Sequence, residues 1–285
     1  MTRRCSERRF FLRPSAVTNA IFSYVLAVAA RRYRLNIHAF CVLSNHYHLL
    51  VTDPDAQLPA FMQYLDGLVA RATNASLGRW EGFWSSEASY SAVSNGATAD
   101  IVGKAAYVLA NPVAAGLVRS GREWPGLWTT PEQLGSATIV APRPKVFFSA
   151  TGDMPASAEL VLTVPPGFTS AEEFQAAVSA ALHDLEEKSR RERAAEQRGF
   201  LGRARVLAQK PFARPAPGEP RRTLSPRVAA RDKWRRIEAL SRLVGFLRAY
   251  RKAWTAMRSG VQDVVFPAGT YLLRIEHSVR CAAPA

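Results

Sequence analysis

Residues 36–52 read NIHAFCVLSNHYHLLVT. Two apolar runs rich in β-branched and aromatic side chains flank Ser44-Asn45. A two-residue connection between such runs marks a tight β-hairpin. The first strand, Asn36 to Leu43, is expected to place Ile37, Ala39, Cys41 and Leu43 on one face. In the returning strand, His46 to Thr52, residues i and i+2 share a side. His46 and His48 therefore present two imidazoles together, roughly 7 Å apart along the backbone, while Tyr47 turns into packing on the other side. That spacing suits two ligands of one divalent ion. Taken alone, a His-x-His pair on a strand also fits plain solvated histidines.

Working outward, Thr2 to Phe11 reads as a short opening strand, and Pro14-Ser15 opens a helix running to Tyr33. Arg8-Arg9-Phe10-Phe11-Leu12 has the form of a twin-arginine export signal. Thr18, Asn19 and Ser23 interrupt the apolar stretch that follows, which favours a capped core helix. Downstream come an amphipathic helix from Leu58 to Leu77, a loop from Gly78 to Trp84 with two tryptophans, and a strand from Ala88 to Val93. A further helix starts at Asp100, and Asn111-Pro112 is expected to end or kink it. The order β-α-β-β-α-β-α is that of a split βαβ unit. It predicts an α+β class with a ferredoxin-like antiparallel sheet and helices on one face.

The second part has a different texture. Pro142-Arg143-Pro144-Lys145 is the expected boundary, which divides the chain into a domain over 1–140 and an extension over 141–285. In the extension, Ala158 to Val164 reads as a strand and Ser170 to Arg198 as a long helix capped by Ser170. Pro211 to Arg227, with five prolines, reads as a linker. Val228 to Met257 reads as a basic helix carrying Trp234 and Trp254, and Val264 to Val279 returns to strand character. Lys233, Arg235, Arg236, Arg248, Arg251 and Lys252 suit this mostly helical basic extension to contact a DNA backbone.

The chain has 285 residues, 38 Lys+Arg against 23 Asp+Glu, and a formal net charge of +15. With 48% hydrophobic residues it can bury a core, and it lacks any apolar run long enough for a spanning helix. The excess of cations calls for a polyanionic partner, nucleic acid first and an anionic membrane second. Three scattered cysteines, Cys5, Cys41 and Cys281, give neither a disulfide framework nor a metal knuckle. They suit a reducing, cytoplasmic setting. Cys41 reads as a small core residue, and His38 as a satisfied or exposed histidine.

The second segment of chemical interest is Tyr107-Val108-Leu109-Ala110-Asn111-Pro112-Val113-Ala114-Ala115-Gly116-Leu117-Val118. On a helix Tyr107 and Asn111 are i and i+4 and share a face, so a phenol and an amide oxygen project to one place. Alone, this pair is better read as a packed tyrosine and a C-terminal cap.

Together, Asn45-His46-Tyr47-His48-Leu49-Leu50 and the Tyr107–Val118 segment resemble the HUH single-stranded DNA transposases, in particular the REP-associated tyrosine transposases. The resemblance spans roughly residues 1–130, including Trp80-Glu81-Gly82-Phe83-Trp84 and Glu123-Trp124-Pro125. It departs at Ser44, where many members have proline, and at Ala114, where many have arginine.

The resemblance implies metal-dependent cleavage and strand transfer of single-stranded, hairpin or repeat DNA. His46, His48 and Asn111 would hold Mg²⁺ or Mn²⁺, and Tyr107 would be the nucleophile forming a 5′-phosphotyrosine. Such an ester keeps the phosphodiester energy, and the chain accordingly has no GxxxxGK phosphate loop. Arg3, Arg4, Arg8, Arg9, Trp80 and Trp84 are the expected nucleic-acid contacts near the site. A homodimer is compatible, since some relatives pair by exchanging the tyrosine helix, and no membrane partner is expected. The rival readings are an inactive, hairpin-binding descendant and a phosphodiesterase that uses water as nucleophile.

Overall fold

A computed structural model describes residues 1–86, 94–95, 97–215, 228–230 and 232–284. The strand expected over Ala88 to Val93 and most of the proline-rich linker lie outside the described residues.

The chain opens with β1 (Thr2–Arg4), then α1 (Ala16–Tyr33), β2 (Asn36–Leu43) and β3 (His46–Thr52). Ser15 caps α1, its hydroxyl accepting from the Thr18 N–H at 3.0 Å. The helix buries Ile21, Phe22, Tyr24, Val25 and Leu26. The hairpin forms as its spacing predicts: Leu43 faces His46 across Ser44-Asn45. β3 is the central strand of an antiparallel sheet of order β1-β3-β2. β1 and β2, joined through α1, lie on either side of it, as in a split βαβ unit. Residues 83–85 run along the free edge of β1, with Trp84 bridging Cys5. The outer edge of β2 is covered by Trp128 opposite Cys41 and by Leu162 beside Ile37.

Three expectations need correction. First, β2 carries a bulge between Ile37 and Ala39. The extra residue shifts the alternation. Ile37 therefore joins Phe40 and Val42 on one face, while Ala39, Cys41 and Leu43 lie on the other. Second, helices cover both faces of the sheet. α1 and α2 (Leu58–Ser76) pack on the Tyr47 side, where Phe22 meets the Tyr47 ring at 5.1 Å. β4 (Ser94–Asn95) is followed by α3 (Thr98–Ala114), which covers the opposite side, packing Ala105, Ala106 and Leu109 against Ala39, Cys41 and Leu50. A strand buried on both faces reads as a nearly continuous apolar run, which is what residues 39–43 are.

Third, α3 runs through Asn111-Pro112 to Ala114 without ending there. Pro112 falls in the last turn, where its missing N–H costs only one donor. The termination comes from Gly116, left-handed at φ +69°, with the Leu117 N–H donating back to the Pro112 carbonyl at 2.9 Å.

The chain continues with a β5–β6 hairpin (Thr138–Pro142 and Ser157–Val161), α4 (Ala171–Ala195) and α5 (Arg203–Leu207). Ser170 caps α4 as expected. Ala141, Phe148, Leu160 and Leu162 enter the α1 cluster, and Phe174, Val178, Leu182 and Val206 enter the α3 cluster. Both clusters thus draw side chains from either side of position 140. Beyond lie β7 (Val228–Ala229), α6 (Lys233–Arg258), β8 (Val265–Phe266), α7 (Leu272–His277) and β9 (Arg280–Cys281). The strand character expected over Val264 to Val279 is limited to the short β8, and Leu272–His277 forms α7 instead. Among the described residues no helix is long and apolar enough to cross a membrane.

Candidate active site

β3 and α3 meet on the face away from α1. The register places Thr2 opposite His48 and Arg4 opposite His46. Side chains at these four positions therefore share one side of the sheet. The two imidazoles stand edge to face, ring centroids 4.9 Å apart. Tyr107, from the middle of α3, meets His48 edge to face at 5.6 Å and is 48% exposed. The three side chains singled out by the sequence are thus brought together, with the phenol open to solvent.

Hydrogen bonds orient both rings. His46 Nδ1 donates to Asn45 Oδ1 at 2.7 Å, and His48 Nδ1 meets Thr2 Oγ1 at 2.7 Å. Donation from His46 Nδ1 leaves its Nε2 with the lone pair, the kind of arrangement by which outer partners aim metal-binding histidines. His48 Nε2 is buried with no hydrogen-bond partner. That nitrogen fits a role as donor to a ligand. Burial, with Arg4 and Arg8 nearby, lowers His46 to about 3. Burial, helped by His46, Arg4 and Lys104, holds His48 well below the usual imidazole range. Both rings are therefore neutral and able to donate a lone pair.

Asn111 lies one turn beyond Tyr107 and is buried. Its Nδ2 donates back along α3 to the Tyr107 carbonyl at 2.6 Å, so Oδ1 is the amide atom left to accept. Among the described residues no group of three or more His, Cys, Asp or Glu side chains gathers into a metal cluster. A site of two imidazoles and an amide contains only two residues of those types.

The expected nucleic-acid residues divide. Arg4 stands beside the imidazoles, and the Arg8 carbonyl accepts from Asn45 Nδ2 at 3.1 Å behind them. Trp80 is 89% exposed. Arg3 and Trp84 lie on the far face: Arg3 pairs with Asp66 at 3.6 Å and sits over the Trp84 ring, and the Trp84 indole donates to the Asp66 carbonyl. Arg9 is held by Glu7 at 3.0 Å and by the Phe212 carbonyl. His38 is buried and satisfied, between the Thr163 carbonyl and Thr52 Oγ1, both at 2.8 Å.

Sequence reasoning missed Thr2, Asn45 and Lys104. Lys104 sits three residues before Tyr107, a same-face spacing that could have exposed it. Its Nζ lies 4.9 Å from the Tyr107 ring centre, and burial lowers its pKa.

The architecture is an open antiparallel sheet flanked by helices, consistent with a ferredoxin-like α+β core. Residues 3–108 match the family model described as Transposase IS200 like. The match takes in His46, His48 and Tyr107, stops short of Asn111, and supports a transposase-like role for this part of the chain. No curated protein and no solved structure matches the chain.

Proposed function

We propose that the protein cuts and rejoins single-stranded DNA at hairpins or repeats, carrying the cut end on Tyr107. The observation that carries this reading is the meeting of a solvent-facing phenol with the unpartnered, buried Nε2 of His48. Tyr107 Oη forms a bond to phosphorus, the P–O3′ bond breaks, and the departing 3′ oxygen takes up a proton. The product is a 5′-phosphotyrosine and a free 3′-hydroxyl. A second 3′-hydroxyl then reverses the exchange, releases the phenol and restores a phosphodiester without an external energy source.

His46, His48 and Asn111 would hold a divalent ion, Mg²⁺ or Mn²⁺. Such an ion, when bound, offsets charge building on the phosphoryl oxygens. The chain's own contribution is orientation. Asn45 and Thr2 fix the imidazoles, and the packed α3 fixes Tyr107. Arg4 and Arg8 are the proposed contacts for the strand on this side, whereas Trp80 lines a hollow with Tyr64 and Asn74 of α2 on the other face.

The test is covalent capture. Wild type and Tyr107→Phe are incubated with end-labelled hairpin DNA in Mn²⁺ or in chelator and resolved on denaturing gels. A labelled protein band that requires both metal and Tyr107 is expected. Cut ends persisting in Tyr107→Phe would assign the attack to water. Binding without adduct across a varied hairpin pool would identify an inactive, hairpin-binding descendant.

A further inference from the structure

Two hollows adjoin Tyr107, and the second half of the chain helps to wall both. The first, about 570 Å³, runs from His48 and Thr2 past Lys104 to residues 165–167, and Arg235 lines it. The second, about 640 Å³, shares Lys104 and Tyr107 and is otherwise walled by different residues, among them Asp184, Ala230 and Arg236. Both volumes fall within the range of ligand pockets.

Arg235 and Arg236 are neighbours on the first turn of α6. Consecutive residues on an α-helix diverge by about 100°, so two adjacent arginines can address two separate hollows. The turn is closed by hydrogen bonds to its own preceding residues. Asp232 Oδ1 accepts from the Arg235 N–H at 2.8 Å, and Arg236 Nη1 donates to the Ala230 carbonyl at 3.2 Å. Both residues lie far outside the family match at 3–108.

We propose that Lys104, Arg235 and Arg236 form a binding site for the phosphodiester backbone of single-stranded DNA. In this site Arg235 and Arg236 hold the phosphates on either side of the one attacked. The inference rests on the strand-transfer reading of Tyr107. A strand reacting at one phosphodiester carries an anion in each direction from it. Two hollows meeting at the nucleophile, each with its own arginine and a shared lysine, match that pattern. Guanidinium groups bind phosphate through paired N–H donors and stay charged. Asp53 lines the first hollow, and Asp100 and Asp184 line the second. These carboxylates disfavour an anion along the walls they occupy. The extension is then part of the active site rather than an appendage to it.

The test uses the full chain with an Arg235→Ala/Arg236→Ala double variant, and Arg31→Ala/Arg71→Ala as a control that removes equal charge from exposed positions on α1 and α2, on the other face of the sheet. Affinity for a labelled single-stranded hairpin is measured across salt concentrations, and adduct formation at sub-saturating DNA is measured in parallel. The double variant is expected to form adduct at least tenfold more slowly. Its salt slope should fall by roughly 1.4, about 0.7 for each single-strand phosphate that an arginine no longer neutralises. The control should change neither, and Arg235→Lys/Arg236→Lys should restore the slope. A wild-type slope and adduct rate in the double variant, or an equal loss in the control, would overturn the site while leaving the strand-transfer reading intact. A wild type that forms no adduct would overturn that reading instead, and the salt slope alone would then decide the phosphate site.

Discussion

His48 keeps a buried nitrogen without a partner, a situation that ordinarily costs about 1–3 kcal/mol. Replacing the ring by an apolar side chain of similar size removes that cost. His48→Leu is therefore expected to melt at the same temperature as wild type or higher, while losing covalent capture altogether. A calorimetric scan beside the gel assay separates the two effects, and a loss of both together would make His48 a structural residue.

On the opposite face Asp66 accepts from the Tyr47 hydroxyl at 2.7 Å and lies 3.6 Å from Arg3. Burial raises its carboxyl from the usual value near 3.8 to about 7, outweighing the Tyr47 hydrogen bond and the Arg3 charge. Between those values the folded chain holds a proton that the unfolded chain has released. Stability from this group is complete below about pH 4, falls as pH rises toward 7, and is level above. The full change amounts to at most about 4 kcal/mol. Asp66→Asn should flatten that slope in melts taken from pH 5 to 8.

The imidazole pair and the phenol are legible at this scale because strand and helix spacings fix who shares a face. Thr2 and Lys104 are harder to read. Thr2 is brought to His48 only by strand pairing, and a lysine on a helix gives no hint of burial.

At the scale of elements, the hairpin over 36–52 follows directly from its alternation and its two-residue turn. The bulge in β2 does not. Ile37 and Ala39 are both apolar, so the pattern reads the same whichever face each one takes. The side assigned to Ile37 is decided by Leu162 and Thr163, which pair with it from more than a hundred residues away. The end of α3 misleads for a related reason. Proline breaks helices in general, but in a final turn closed by a left-handed glycine it is tolerated. That makes Gly116, not Pro112, the sensitive position. A Cβ at Gly116 would meet the Arg193 guanidinium, and an L-residue is strained at φ +69°. Gly116→Ala is expected to lose about 1–2 kcal/mol in urea unfolding, with the Arg193 head group displaced from α3.

At the scale of the molecule, the extension is woven into the first part. Ser44, in the hairpin turn, donates to Gln209 Oε1 at 2.6 Å. The backbone at Leu201 and Gly202 donates to the carbonyls of Gly116 and Leu117. Phe148, Leu160, Leu162, Phe174, Val178 and Leu182 complete the two core clusters. At about 1.5–3 kcal/mol for each buried apolar side chain, losing them exceeds the stability of an ordinary domain. A chain ending at residue 130 is therefore expected to show no cooperative thermal transition, whereas one ending at residue 215 should keep it. Nothing in the local pattern around Pro142 to Lys145 signals these contacts, because the residues that make them are distant in the sequence.

Hairpin and tyrosine helix pack on one another within a single chain, the His48 ring against the Tyr107 ring. On the strand-transfer reading, each chain then carries the proposed nucleophile and imidazole already in contact. Adduct formation should be first order in protein, with a rate per molecule that does not change on dilution. Mixing His48→Leu with Tyr107→Phe should restore nothing, since neither defect can be complemented from another copy.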